Sequence, residues 1–122
     1  VTMNTSPVSD KILLCHILQE CRKITALTSR ITYEEYLGDP TYQDALIRRI
    51  EIIGEAAGNL SDEFSRKYPM IPVREMKSMR NVLAHQYFRV DIEYVWLTVI
   101  NEIPPLLETL NAIHTTSTDV TE

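Results

Sequence analysis

Between Tyr42 and Leu60, apolar side chains return at alternating steps of four and three residues: Tyr42, Leu46, Ile50, Ile53, Ala57 and Leu60. This is the period of one face of an α-helix, and a stripe of that length has to be covered by neighbouring elements. The same rhythm recurs over Ile92, Trp96, Val99, Ile103, Leu106, Leu110 and Ile113. It runs straight through Pro104-Pro105, which predicts one kinked last helix rather than two. Few stretches alternate as strands do. The pattern therefore predicts an all-α fold, an up-and-down bundle of four to five helices.

Local punctuation divides the chain. Ser9 can cap a first helix of about five turns with Leu14, Ile17, Cys21, Ile24 and Ile31 on its apolar side and Thr28 as its polar interruption. Ile31 to Leu37 has room for one short helical turn before Gly38-Asp39-Pro40, where Asp39 can cap the next helix and Pro40 suits its first position. Inside that helix, Gly54 and Gly58 each cost about 1 kcal/mol relative to Ala, which points to a neighbouring backbone passing close by. Ser61-Asp62-Glu63 can start a short helix that must stop near Tyr68, because Pro69 and Pro72 follow. Pro72 opens a helix carrying Val73, Met76, Met79 and Leu83 and ending between His85 and Arg89, and Asp91 starts the last one. Residues 1–8 and 114–122 are polar and without apolar period, so the folded body is expected over 9–113, between two tails.

At 122 residues and 44% hydrophobic, the chain is sized for one domain with one core. It lacks the ~20-residue apolar run of a membrane span and a leader-like opening, so no membrane is expected as a partner and the expected location is the cytoplasm. Cys15 and Cys21 would lie about 9 Å apart along a helix axis, too far for a disulfide, and read as buried thiols in a reducing compartment. Neither they nor the three histidines make a metal-ligand pattern, so no metal or cofactor is expected. Net charge is −5, yet the stretch from Arg66 to Val90 holds six basic residues and one acid. That stretch carries +5 and leaves −10 for the rest. Screening confines each field to about 8 to 10 Å, so a local phosphate site is compatible with an acidic protein. A solvated helix face is the plainer reading of charge taken alone.

Chemistry is concentrated in Arg80-Asn81-Val82-Leu83-Ala84-His85-Gln86-Tyr87. Arg supplies a permanent cation with a planar fork matched to phosphate oxygens, and His exchanges a proton near neutral pH. RNA carries its own nucleophile in the 2′-hydroxyl, so a metal-free ribonuclease needs a proton acceptor, a proton donor and a cation on the phosphate. On an unbroken helix Arg80 and Tyr87 nearly coincide in azimuth, whereas Arg80 and His85 diverge by about 140°. Two arrangements would reconcile them: the helix frays before His85, or a dimer combines Arg and His across a two-fold axis. The dimer is preferred because it brings a second imidazole, His16 and His114 being remote in sequence. A histidine at a helix end is also, commonly, only a cap. Glu51 and Glu55, one turn apart, are better placed to pair with Arg48 or another helix than to do acid–base work.

The stretch Asp44 to Ala56 with its Ile53-Gly54-Glu55-Ala56, then Ile71-Pro72, then Met79 to Asp91 with Arg-x-x-x-x-His-x-Tyr, resembles in content and order the HepT-like toxins of the HEPN superfamily. The resemblance spans nearly the whole body. It implies an HEPN-type bundle, a homodimer, and a metal-independent endoribonuclease toxin of a type II or type VII toxin–antitoxin system with its active site at the dimer interface. Arg80 and His85 match the catalytic pair, Asn81 a polar position that accompanies the Arg, and Tyr87 the acceptor of AMP. The AMP would come from a cognate minimal nucleotidyltransferase antitoxin, which would also bind the toxin. Arg74, Lys77 and Arg89 are then the candidates for contact with the RNA substrate. A non-catalytic HEPN module that positions a nucleotidyltransferase is the alternative. One departure is Val73, where the family commonly has Trp after the Pro.

Overall fold

The first helix begins where the sequence offers a cap: the Ser9 hydroxyl accepts the Ile12 amide at 3.3 Å. In the computed structural model, which describes residues 9–85 and 91–117, this helix is α1 (Asp10–Thr28). It stops short of Ile31, which packs against the core from the following turn. A short α2 (Tyr33–Leu37) follows, closed by a reciprocal capping box. Thr32 Oγ1 accepts the Glu35 amide at 3.0 Å, and Glu35 Oε1 accepts the Thr32 amide at 2.8 Å. Asp39 caps α3 (Pro40–Gly58) through the Thr41 amide, with Pro40 in the first turn, and Ser61 caps α4 (Asp62–Lys67) through the Phe64 amide. The Asp10 carboxylate accepts from both the amide and the hydroxyl of Ser61, tying the starts of α1 and α4 together.

After the prolines comes α5 (Val73–His85), and Asp91 caps α6 (Ile92–Asn101) by accepting the Glu93 and Tyr94 amides. The chain then breaks. Glu102 alone separates α6 from α7 (Ile103–Ser117), where the apolar rhythm predicted one kinked helix. Pro104 and Pro105 have no N–H for the carbonyls of Ile100 and Asn101, and two consecutive losses end the ladder. Both prolines instead occupy the first turn of α7, where a missing donor costs little. α7 also continues to Ser117, four residues past the expected boundary at 113. The all-α expectation holds, with seven helices among the described residues in place of four to five: five long ones plus the short α2 and α4. Among the described residues none of these helices is long and apolar enough to cross a membrane.

The core is made by the stripes that define the helices. Leu14, Ile17, Cys21 and Ile24 of α1 meet Leu46, Ile50, Ile53 and Ala57 of α3, and Val95, Val99, Ile103, Leu106 and Leu110 of α6 and α7 complete the cluster. Cys15 and Cys21 are free thiols, and burial, helped by the charge of Glu20, pushes Cys21 up to about 12. Tyr36 is fully buried, its ring 4.9 Å from that of Trp96, and its hydroxyl donates to the Ile92 carbonyl at 2.6 Å. That bond fixes α2 against the start of α6. Burial pushes its phenol up to about 12 as well, so the donor proton is retained across the physiological range.

Among the described residues one charge lies inside. Glu20 is only 8% exposed, and its carboxylate accepts from Arg49 at 2.9 Å, bridging α1 to α3, with Lys23 at 3.9 Å. Arg49→Ala strands a desolvated carboxylate and is expected to cost about 1–3 kcal/mol in urea unfolding. Arg48→Ala breaks only the exposed pair with Glu51, 3.5 Å long, and is expected to cost about 0.2–1 kcal/mol. Equal losses for the two would show that burial at Glu20 carries no special cost.

Candidate active site

Arg80 sits on α5 where that helix presses against α3. Two features of the sequence produce the approach. Met76 of α5 is buried and anchors the contact, and Gly54 of α3, also buried, has no side chain to hold the helices apart. A Cβ placed at Gly54 would stand 2.9 Å from the Met76 carbonyl oxygen and closer still to the Arg80 Cβ, nearer than real Cβ contacts come. The reading of Gly54 as a point of close approach is thus correct. Gly58 is different: a Cβ there would meet only the Lys77 Cγ, at 3.9 Å, an ordinary contact. The start of α5 lies just beyond Pro72, and Val73 is half-buried against the core.

The approach leaves an open cleft of about 310 Å³ beside the helix pair, lined by Gly54, Glu55, Gly58, Asn59, Lys77 and Arg80. Arg80 is half-buried there, with its stem fixed against Gly54. Lys77 also borders a second hollow of about 570 Å³ shared with Asp62, Ser65, Arg74 and Ser78. Arg74 and Lys77 are exposed, as are Arg66 and Lys67 on α4, so these four cations of the basic segment face solvent while Arg80 is half-buried. The Lys67 ammonium stands 5.4 Å from the Tyr68 ring centroid.

The backbone of α5 is helical through His85. Fraying before His85, one of the two ways to join Arg80 with His85, is thereby removed. Five helical steps separate the two positions by about 7.5 Å along the axis and about 140° around it. The side chains of Asn81 and His85 lie outside the described residues, as do Tyr87 and Arg89 entirely. Of the sequence-predicted site residues the structure therefore describes Arg80, Arg74 and Lys77, and brings Arg80 and Lys77 into one cleft.

Of the lining residues, Asn59 escaped the sequence reading, and Glu55 was expected to pair with Arg48 or another helix rather than to border a cleft. Glu51 pairs with Arg48 as expected, but Glu55 does not: its side chain is exposed and its carboxylate makes no hydrogen bond or ion pair among the described residues. Asn59, the C-cap of α3, donates its amide to the Glu55 carbonyl at 3.0 Å and stands at the end of the cleft. The signal was present in the glycines. Glu55 and Asn59 each follow a residue whose missing side chain opens the space, so they had to border whatever cleft the close approach leaves. Among the described residues no three His, Cys, Asp or Glu side chains gather as a metal site would require.

Residues 17–113 match the family described as Ribonuclease HepT-like. A protein of Caldanaerobacter subterraneus subsp. tengcongensis named "Putative RNase TTE0752" is 42% identical over 91 residues, 75% of this chain and 81% of that protein. The "Probable ribonuclease HepT" of Thermococcus cleftensis is 44% identical over 98 residues, 80% of this chain and 89% of that protein. "Putative RNase MJ0127" of Methanocaldococcus jannaschii is 39% identical over 94 residues, 77% and 78% of the two chains. No solved structure matches the chain.

Proposed function

The chain belongs to the HepT-like ribonuclease family of the HEPN superfamily, and we propose that it is the ribonuclease toxin of a toxin–antitoxin pair, cutting RNA in the cytoplasm with Arg80 and His85. The observation that carries this reading is Arg80 itself: a cation of α5 half-buried against α3, at the lip of a cleft with a second cation, on a helix that runs unbroken to His85. In the proposed reaction the 2′-hydroxyl attacks the adjacent phosphorus, one imidazole taking its proton. Arg80 stabilises the charge that develops on the phosphoryl oxygens, and a second imidazole protonates the departing 5′-oxygen. The products are a 2′,3′-cyclic phosphate and a free 5′-hydroxyl. Asn81 would support Arg80, while Arg74, Lys77 and Arg89 would hold flanking phosphates. Cleavage of RNA in the presence of EDTA tests the assignment. Protein inert on RNA yet tightly bound to a nucleotidyltransferase would favour the non-catalytic module.

Two imidazoles call for two chains. A homodimer is supported by the 140° divergence on a continuous α5 and by Tyr94, Leu97 and Ile100, which are 40–50% exposed within an arc of about 120° on α6. Sedimentation should report about twice 14.1 kDa, and mixing inactive Arg80→Ala with inactive His85→Ala chains should restore part of the activity. An active monomer would refute the shared site.

Regulation is assigned to Tyr87. With a cognate minimal nucleotidyltransferase and ATP, AMP on this phenol would bring a negative phosphate and a bulky base to the place where RNA binds, excluding substrate by charge and volume. Tyr87→Phe should cut RNA and resist inactivation by the transferase. Intact-mass analysis that locates AMP on another residue, or finds none with an active partner, would remove Tyr87 from this role.

A further inference from the structure

The cleft beside Arg80 contains a charge of the wrong sign for a surface that only holds phosphates. Glu55 shares the cleft with Arg80 and Lys77, and among the described residues its carboxylate is paired with neither. A carboxylate facing an RNA strand repels every phosphate it meets. It is compatible with RNA only where the nucleotide supplies N–H or O–H donors to it. The surroundings leave room for such a group. Gly54 and Gly58 line the cleft without side chains, and its volume of about 310 Å³ is at the lower bound of small-ligand pockets, enough for one nucleoside. Asn59 is held at the end of the cleft by its bond to the Glu55 carbonyl, which leaves one amide N–H and the amide oxygen for a ligand.

We propose that this cleft is a base-recognition subsite next to the cleaved linkage, and that Glu55 selects guanine in it. The inference rests on reading the chain as a ribonuclease. Guanine presents two adjacent donors, N1–H and N2–H, on its Watson–Crick edge, and one carboxylate accepts both. Adenine and cytosine present an amine beside an acceptor, and uracil one N–H between two carbonyls, so each sets a lone pair against the carboxylate. The guanine O6, next to N1–H, needs a donor in turn, and Lys77 or the remaining Asn59 N–H can supply it from the same cleft. The edge is open only in single-stranded RNA, which sets the class of substrate.

The test is equilibrium binding of the full chain to uridine hexamers carrying a single guanosine or a single inosine, with 2′-deoxy sugars so that neither is cut. Inosine keeps N1–H and O6 and loses the 2-amino group. Wild type should bind the guanosine hexamer about five- to hundredfold more tightly, the range expected for one good base contact, and Glu55→Gln should bring the ratio close to one. Equal binding of the two by wild type, discrimination that survives Glu55→Gln, or no binding of either overturns the proposal. The readout is independent of cleavage. Guanine-selective binding of RNA that is never cut would overturn the ribonuclease reading alone, and cutting without guanine preference would overturn the subsite alone.

Discussion

Alanine at either Arg80 or His85 should lower the rate of RNA cleavage by about 10²–10⁴ while leaving the fold intact. In the proposed mechanism the two losses have different origins. His85→Ala removes the proton carrier, so neither attack by the 2′-hydroxyl nor departure of the 5′-oxygen is assisted. Arg80→Ala removes the cation that meets charge developing on the phosphoryl oxygens; a single preorganised donor of this kind is worth about 10²–10³. Arg80→Lys should recover little, because an ammonium cannot reproduce the planar two-point contact of the guanidinium with a phosphate. Cleavage should persist in EDTA, since the proposed mechanism takes the substrate's own hydroxyl as nucleophile and meets the charge with Arg80. A 2′-deoxy sugar at the cut site should block the reaction, and products should end in a cyclic phosphate. Cleavage that survives both alanine substitutions, or that EDTA abolishes, would remove these residues from the chemistry.

The parts of the molecule legible from sequence are those decided locally. The starts at Ser9, Asp39, Ser61 and Asp91 follow from a side-chain oxygen that satisfies amides left without partners at a helix start, and each caps in the structure as its residue type predicts. Periodicity placed Ile17, Cys21, Leu46, Ile53, Val99 and Leu110 in the core, where they are. What escaped depended on distant neighbours. The four-three rhythm is blind to a one-residue break, so the division at Glu102 had to come from the donors that Pro104 and Pro105 lack. Glu20 looks like any surface acid of α1, and its burial is intelligible only once Arg49 of α3 stands opposite. The cleft is of the same kind. Arg80 and Lys77 were found by residue type, whereas Glu55 and Asn59 border it only because α5 crosses α3 at Gly54.

That crossing sets the second large effect. Gly54→Ala should destabilise the protein and cost more activity than the lost stability explains, although alanine is the better helix former by about 1 kcal/mol. The added methyl would lie 2.9 Å from the Met76 carbonyl oxygen and 3.2 Å from the Arg80 Cγ, with the Arg80 Cβ nearer than either. A backbone carbonyl inside a helix cannot turn aside as the end of a flexible side chain can. α5 has to move off α3, at the cost of about 1–3 kcal/mol typical of overpacking, which exceeds the gain in propensity. Arg80 is carried along, and a displacement near 1 Å at a phosphate contact can cost about 10² in rate. Gly58→Ala is the internal comparison. Its methyl would meet only the Lys77 Cγ, at 3.9 Å, so the propensity gain is unopposed and stability should rise by up to about 1 kcal/mol. Urea unfolding of the two variants should therefore give changes of opposite sign. Cleavage by Gly54→Ala, measured where the variant is fully folded, then reports the displacement of Arg80 by itself. Equal stabilisation by the two alanines, or wild-type cleavage by Gly54→Ala, would show that α5 accommodates the methyl without moving Arg80, and that Gly54 does not set the geometry of the cleft.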